Sequence, residues 1–410
     1  MDRRPFPWKL FAFAFFGWTF DFYDLVLLGF VKDPVAHDLH LTPNVEAWML
    51  GVALSTSGLG GIVSGALADR FGKRNLLAAT VLLYSFGSLV CGFAPNLAVF
   101  LLGRGLVGRG VGGEWAIGHG MLAEAVDSAR RGRASAALQA GEPVGVALAA
   151  VAGYVILPHV GWRAVMIGSS VTALLALAAR RSMHLPNEPA AATPPSFAEL
   201  RRARLGGTMV RAWILGVCKL GTYSTCYTWL PHFLQHEMHQ TTAKSLTWML
   251  TAQGGQLVGM LTFGQVADRV GRRPAFAIYS LVTACGIAPL AFGWTWLSDH
   301  PPLFWCSMLV LGLGSGCTAG FGALLAELFP TEVRSMAMGT TYNCARAAQL
   351  LAPVIVHQAV LADGIRGGLS VPLVLAIATA SWVCVLPETR GITLPTLALA
   401  PVRGPVTPAP

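Results

Sequence analysis

Twelve apolar runs alternate with short polar turns along the chain, each of about the 17–25 residues needed to cross a bilayer. They fall at 9–31, 46–68, 75–94, 97–122, 134–157, 162–179, 208–233, 245–267, 274–297, 303–327, 335–360 and 369–386. Runs so long and so poor in charge predict helices, because a helix satisfies its own backbone N–H and C=O groups where water is absent. The longest polar stretch, about 180–207, holds Pro186, Pro189, Pro194, Pro195 and five arginines. It predicts a linker at 181–207 between an N-terminal bundle at 1–180 and a C-terminal bundle at 208–410.

The two bundles carry the same markers. Gly65-Ala-Leu-Ala-Asp-Arg-Phe-Gly-Lys-Arg74 ends the second run, and Gly264-Gln-Val-Ala-Asp-Arg-Val-Gly-Arg-Arg273 ends the eighth, 199 residues later. Glu124 precedes Arg131 by the same seven residues that separate Glu327 from Arg334. Two independent markers at nearly one offset indicate a duplicated unit. The expected fold class is therefore all-α integral membrane, with twelve transmembrane helices in two pseudo-symmetric six-helix halves. Glycines four apart (Gly61/Gly65, Gly108/Gly112, Gly255/Gly259, Gly312/Gly316/Gly320) predict close helix–helix approach in lipid.

Composition agrees: 54% of residues are hydrophobic and 12% charged, against about 25% charged in a soluble domain, and mean hydropathy is +0.57. A net charge of +9 raises nucleic acid as a partner. The distribution argues against it, because the basic residues form short clusters between apolar runs. On one side of the predicted bundle lie 21 of the 29 basic residues, with Lys32, Arg163, Lys244 and Arg366 on the other. That bias predicts both termini in the cytoplasm. The eight cysteines all fall in apolar runs without metal-ligand spacing. The first run is too long for a cleavable signal and contains two acids. Gly108-x-Gly110-x-x-Gly113 has dinucleotide-fingerprint spacing but lies inside a span, without the strand that motif needs.

Together these features resemble the major facilitator superfamily of secondary transporters over essentially the whole chain. The paired basic turns are similar to that superfamily's signature. The resemblance implies a cytoplasmic gate built from Gly65, Asp69, Arg70, Gly72, Arg74, Glu124 and Arg131, and in the second half from Gly264, Asp268, Arg269, Gly271, Glu327 and Arg334. Gly110-Val-Gly-Gly-Glu-Trp115, Asp21-Phe-Tyr-Asp24, Gln139-Ala-Gly141, Trp229-Leu-Pro231, Tyr342-Asn343 and Pro387-Glu-Thr-Arg-Gly391 resemble the metabolite–proton symporters, nearest the sialate and lactate/pyruvate group, with aromatic-acid symporters next. Glu142-Pro143 and Arg109 depart from that pattern and leave the substrate open.

Charge inside a span is costly, about 2.5–3.5 kcal/mol or more, and so marks function. Asp21 and Asp24 share a helix face, and two close carboxylates in low dielectric do not both ionise easily. Asp21, Asp24, Glu114 and Glu142 are the candidate proton-coupling groups, with ion pairing to Arg104, Arg109 or another cation as the alternative. Arg346 lies near the expected midplane, where transporters bind substrate, and its fork fits a carboxylate. The substrate-binding set is Arg109, Gln139, Lys219, Tyr223, Tyr227, Gln253, Gln256, Asn343 and Arg346. His232, His236 and His239 lack any feature demanding a metal, and no cofactor, nucleophile–base pair or nucleotide loop is expected. The expectation is a monomeric, proton-coupled symporter of a small organic acid rather than an enzyme. A sugar carrier, a drug–proton antiporter and a transporter-like sensor are the rival readings.

Overall fold

The computed structural model describes residues 5–41, 43–171, 204–236 and 242–396. Helices α1 (Trp8–Asp38), α2 (Pro43–Phe71), α3 (Lys73–Gly92) and α4 (Leu97–Ala125) match the first four apolar runs. The fifth run becomes α5 (Arg131–Gln139) and α6 (Gly141–Val151), continued through a wide turn at Ala152–Ile156 into α7 (Leu157–Ser169). Gly161, at φ 76°, interrupts α7 and separates the fifth span from the sixth. The second set comprises α8 (Gly206–His236), α9 (Thr242–Val270), α10 (Arg272–Phe292), the short α11 (Trp294–Ser298), α12 (Pro301–Ser315), α13 (Phe321–Leu328), α14 (Arg334–Ala347) and α15 (Ala352–Trp382). Among the described residues, six helical stretches are individually long and apolar enough to cross a membrane.

One boundary differs from the expectation. The last two spans meet inside α15 at Asp363 and Gly364, where φ is 52° at the glycine. The final span thus starts four residues before the predicted 369, because a left-handed glycine, not the polarity of the turn, sets the break. Most of the expected linker lies outside the described residues, as do His239 and the side chains of Asp69, Trp229, His232, His236 and Lys244.

The duplication seen in the sequence is also a packing pattern. Helices α2 and α3 both lie on α4, and α9 and α10 both lie on α12. The spaced glycines explain the closeness. A Cβ at Gly108 or Gly112 would run into the backbone of Ala53 or Ser57, and one at Gly312 or Gly316 into that of Ala252 or Gly259. Between the two sets, α2 lies on α14 and α9 on α5. A shared core there joins Trp18, Trp115 and Ala136 to Phe263, Phe321 and Tyr342.

The first glycine of each basic turn has a specific reason to be glycine. A Cβ on Gly65 would sit 2.6 Å from the Ser335 carbonyl and 2.9 Å from Met336 Cα. A Cβ on Gly264 would sit 2.8 Å from Ala136 Cβ and from Arg133 Cα. Both glycines thus let the two helix sets touch at the same end, here termed the basic end. Gly65→Val is expected to hold that end apart. Overpacking of this kind costs about 1–3 kcal/mol, which shifts the population roughly 5- to 150-fold. Ser335→Cys, at a position fully buried here, is the reporter. Its labelling by a water-soluble maleimide should rise at least fivefold in the Gly65→Val background, and unchanged labelling would show that this contact does not close the molecule.

Candidate functional site

Two sites emerge, one at the basic end and one in the middle of the bundle. At the basic end, Gly72 (φ 90°) and Gly271 (φ 113°) turn the chain sharply between α2 and α3 and between α9 and α10. A side chain is strained at such angles. The residue after each glycine then opens a helix whose side chain reaches inward. Lys73 Nζ lies 2.7 Å from Glu124 Oε2, and Arg272 Nη2 lies 2.9 Å from Glu327 Oε1.

Each glutamate also receives an arginine from the other helix set. Arg131 Nη1 donates to Glu327 Oε1 at 3.1 Å, and Arg334 Nη1 pairs with Glu124. The same arginines donate through Nε to carbonyls of their own set, Arg131 to Ala123 at 3.1 Å and Arg334 to Ala326 at 3.0 Å. Two triads, Lys73–Glu124–Arg334 and Arg272–Glu327–Arg131, are therefore related by the internal duplication. Asp268 adds a third cross-set anchor. It accepts from the Gly132 and Arg133 backbone N–H groups, each at 3.1 Å, and pairs with Arg272 at 2.7 Å.

The expected gate residues Glu124, Arg131, Glu327, Arg334 and Asp268 are thus brought together. Arg70 and Arg269 are not. Both are exposed, Arg70 with its guanidinium 4.9 Å from the Phe71 ring centre. Arg269, one residue beyond Asp268, is about 100° further round a helix of 3.6 residues per turn, which turns it away from the partner set. The work falls to Lys73, Arg272 and Arg133, which sequence reasoning passed over. For Lys73 and Arg272 the signal was adjacency to the turn glycine.

Segment 387–396 after α15 joins the same network. Thr389 Oγ1 donates to Glu327 at 2.7 Å, and Arg131 reaches the Ile392 carbonyl at 3.4 Å. The Glu388 carboxylate accepts from the Arg272 and Arg273 backbone N–H groups at 2.7 and 3.0 Å. Partial burial opposes its charge, but these bonds and those from Arg390 and Thr389 outweigh it and hold the carboxyl below its ordinary value. A carboxylate with a depressed folded value stabilises above its unfolded pKa of about 4.3. That stabilisation disappears as pH falls through the folded value. Glu388→Gln should therefore lower the thermal midpoint in detergent at pH 7, by the roughly 0.3–1 kcal/mol of a charge at a helix N-terminus. The difference from the native protein should close at acid pH; a gap independent of pH would assign the effect to packing.

In the middle of the bundle, Asp21, Asp24, Glu114 and Glu142 come from the first helix set, and Lys219 and Arg346 from the second. Asp21 (α1) and Glu114 (α4) are completely buried and within hydrogen-bonding reach of each other. Neither carboxyl has another hydrogen-bond partner among the described residues. Gly17, one turn before Asp21, makes the space, since a Cβ there would run into the Glu114 carboxylate. Asp24 is different. Ser88 donates to it at 2.6 Å, and Arg104 lies 3.9 Å away. Asp21 repels Asp24, as their shared face predicts, and also meets Glu114, while Asp24 in addition belongs to a buried ion pair with Arg104.

Glu142 (α6) is held by two amides, Gln139 at 2.9 Å and Gln256 of α9 at 3.1 Å. The expected alternative, a pair with Arg109, does not form. Gln139 also accepts from Trp115 Nε1 at 3.0 Å, and Trp115 stacks on Tyr342 with ring centres 3.7 Å apart. Opposite these groups stand Lys219 (α8) and Arg346 (α14). Lys219 Nζ and Arg346 Nη1 are buried and lack a hydrogen-bond partner among the described residues. Arg346 attracts Asp21 and Glu142 electrostatically, and Lys219 attracts Glu142. The Arg346 guanidinium also lies 5.5 Å from the Phe22 ring centre. Tyr223 and Tyr227 stack 4.5 Å apart, and Gln253 reaches the Tyr223 hydroxyl at 3.5 Å.

Two expected substrate ligands stand elsewhere. Asn343 donates to the Gly112 carbonyl at 2.9 Å and to Gly339 at 3.0 Å. It is a pin between α14 and α4, admitted by the absence of a side chain at Gly61. Arg109 is exposed on the outer face of α4. It lies five residues before the buried Glu114, hence about 140° away round the helix. Trp115 and Tyr342 stood inside family-like motifs, yet their stacking across the two sets was not expected.

Residues 10–353 and 239–407 match the family model described as the Major Facilitator Superfamily. A Haemophilus influenzae protein provisionally named for metabolite transport is 30% identical over 403 residues, covering 95% of this chain and 98% of the relative. The niacin transporter NiaP of Acinetobacter baylyi is 26% identical, with 93% and 94% coverage. In fold, the chain superposes on a proton:xylose symporter, XylE, with a TM-score of 0.79 at 18% identity, over 95% of this chain and 98% of the other. The chain belongs to the major facilitator superfamily of membrane transporters.

Proposed function

We propose that this transporter carries a small organic anion together with a proton by alternating access. The N-terminal bundle (1–180) and the C-terminal bundle (208–410), joined by the linker at 181–207, would rock about the central site. The basic end would face the cytoplasm, following the excess of Lys and Arg there, with both termini on that side of the cell membrane. One chain holds the whole pathway.

The observation that carries the reading is the pair of buried cations, Arg346 and Lys219, whose Nη1 and Nζ atoms lack a hydrogen-bond partner among the described residues and which face carboxyls and aromatic rings. A buried guanidinium left short of partners favours an anion that completes its fork. The Tyr223–Tyr227 and Trp115–Tyr342 stacks favour a planar body behind that carboxylate. Likeness to a niacin transporter, whose namesake is an aromatic carboxylate, supports an aromatic or unsaturated acid before lactate, pyruvate or sialate. A neutral sugar would leave both cations unanswered.

The proton would reside between Asp21 and Glu114, and Arg346 would link that site to the anion through its attraction to Asp21. Proton and anion enter as an electroneutral pair, so loading leaves the net buried charge unchanged. The triads at the basic end then separate into water. Their ion pairs lose Coulombic energy but regain hydration, so the two states stay close in free energy. Uptake of labelled niacin, benzoate, muconate, lactate and sialate into proteoliposomes, with and without an inward proton gradient, tests this. Acceleration of one acid by the gradient supports it; transport of a neutral sugar or a cationic dye alone would overturn it.

A further inference from the structure

Arg109 poses a problem that the central site does not solve. It lies twelve residues into α4 and sixteen from its end, or about 18 and 24 Å at 1.5 Å per residue. That is deep in the hydrocarbon, yet its side chain is exposed and forms no ion pair or hydrogen bond among the described residues. A charge at this depth facing lipid is unfavourable unless it is answered.

Beside it opens a cavity of about 400 Å³. Arg109 lines it together with Leu59, Val63, Leu67, Leu76 and Leu83 from α2 and α3. Leu59 and Val63 are more than half exposed toward the bilayer. Gly60 also lines it, and its backbone packs on that of Arg109. Two hydroxyls, Ser64 and Thr80, lie within the same groove. The arrangement is an apolar, lipid-accessible slot with a single cation in its lining.

We propose that this slot binds a single-chain fatty carboxylate, its head on Arg109 and its chain along α2 and α3. Depth selects the occupant. A phospholipid keeps its phosphate at the water interface, with two acyl chains between it and the midplane, so its head does not reach Arg109. A fatty acid has a small head and one chain, and it can carry its carboxylate to this level. The lining of the slot includes neither Arg346 nor Lys219, so its ligand is not the transported acid.

The test is native mass spectrometry of the purified full chain with oleate added, with oleyl alcohol and dioleoyl-phosphatidylglycerol as the other probes. The expected result is one oleate bound, at least tenfold weaker in Arg109→Leu, restored in Arg109→Lys and blocked by Val63→Trp. All variants are first checked for a single size-exclusion peak. Equal binding to Arg109→Leu, equal binding of oleyl alcohol, or Arg109-dependent binding of phosphatidylglycerol in preference to oleate would each overturn the proposal.

Discussion

Replacing Arg346 with alanine is expected to reduce gradient-driven uptake of the organic acid by at least 100-fold, a change of about 2.7 kcal/mol. The guanidinium combines two properties that Lys219 does not. It offers an unpartnered nitrogen in a buried setting, and it provides the positive charge that acts on both Asp21 and Glu142. Lys219 acts on Glu142 without a comparable attraction to Asp21, so it does not replace Arg346. The loss should fall on substrate affinity and on turnover together, because the same charge binds the anion and relays its presence to the proton site. Arg346→Lys keeps the charge but loses the planar fork. It should recover part of the turnover while leaving the apparent KM raised at least tenfold. Proteoliposome uptake over a range of substrate concentrations, on variants with unchanged thermal midpoints, reads both. Uptake by Arg346→Ala within threefold of the native protein would show that the anion binds elsewhere and would return the drug–proton exchanger to first place.

What the sequence could reveal here depended on whether a property is local. Span positions, the duplication and the basic turns are local, since each follows from composition or spacing within some thirty residues. The choice of the gate glycines was also legible, because Gly72 and Gly271 must take angles that other residues avoid. Which basic residue of a turn enters the gate depends on rotation about a helix that the pattern leaves unspecified. Hence Arg70 and Arg269 were expected where Lys73 and Arg272 act. Pairing across the two helix sets was less legible still. Asp24 was expected beside Asp21 because they share a face, but Arg104 and Ser88 reach it from α4 and α3, and Asp21 turns to Glu114. The exposed position of Arg109 had a visible signal in its five-residue offset from Glu114. Asn343 had none, since its partners are backbone carbonyls and its room comes from glycines in a distant helix.

Neutralising the buried acid pair should uncouple transport without abolishing it. With Asp21→Asn or Glu114→Gln, uphill accumulation driven by a proton gradient is expected to fall at least tenfold. Exchange of labelled for unlabelled substrate at equal pH should stay within about threefold of the native rate. Of the four buried carboxyls in the spans, Asp24 and Glu142 are already engaged. Asp24 has a cation and a hydroxyl on it. Glu142 is fixed by Gln139 and Gln256 and would have to break a cross-set bond to change its state. Asp21 and Glu114 meet no hydrogen-bond donor among the described residues, and the cation acting on Asp21 is Arg346, which the transported anion would answer. Two carboxyls in contact are held together by a shared proton and repel without it. Loss of that proton therefore loosens α1 from α4 at the point where Gly17 admits the Glu114 side chain. An amide in either position mimics the protonated pair, so the bundle can still rock with substrate bound, but no proton is carried. The dependence of uptake on external pH should flatten in the same variants. Native-like accumulation by both would remove this pair from coupling and move the proton to Glu142, where Glu142→Gln is then the variant to measure.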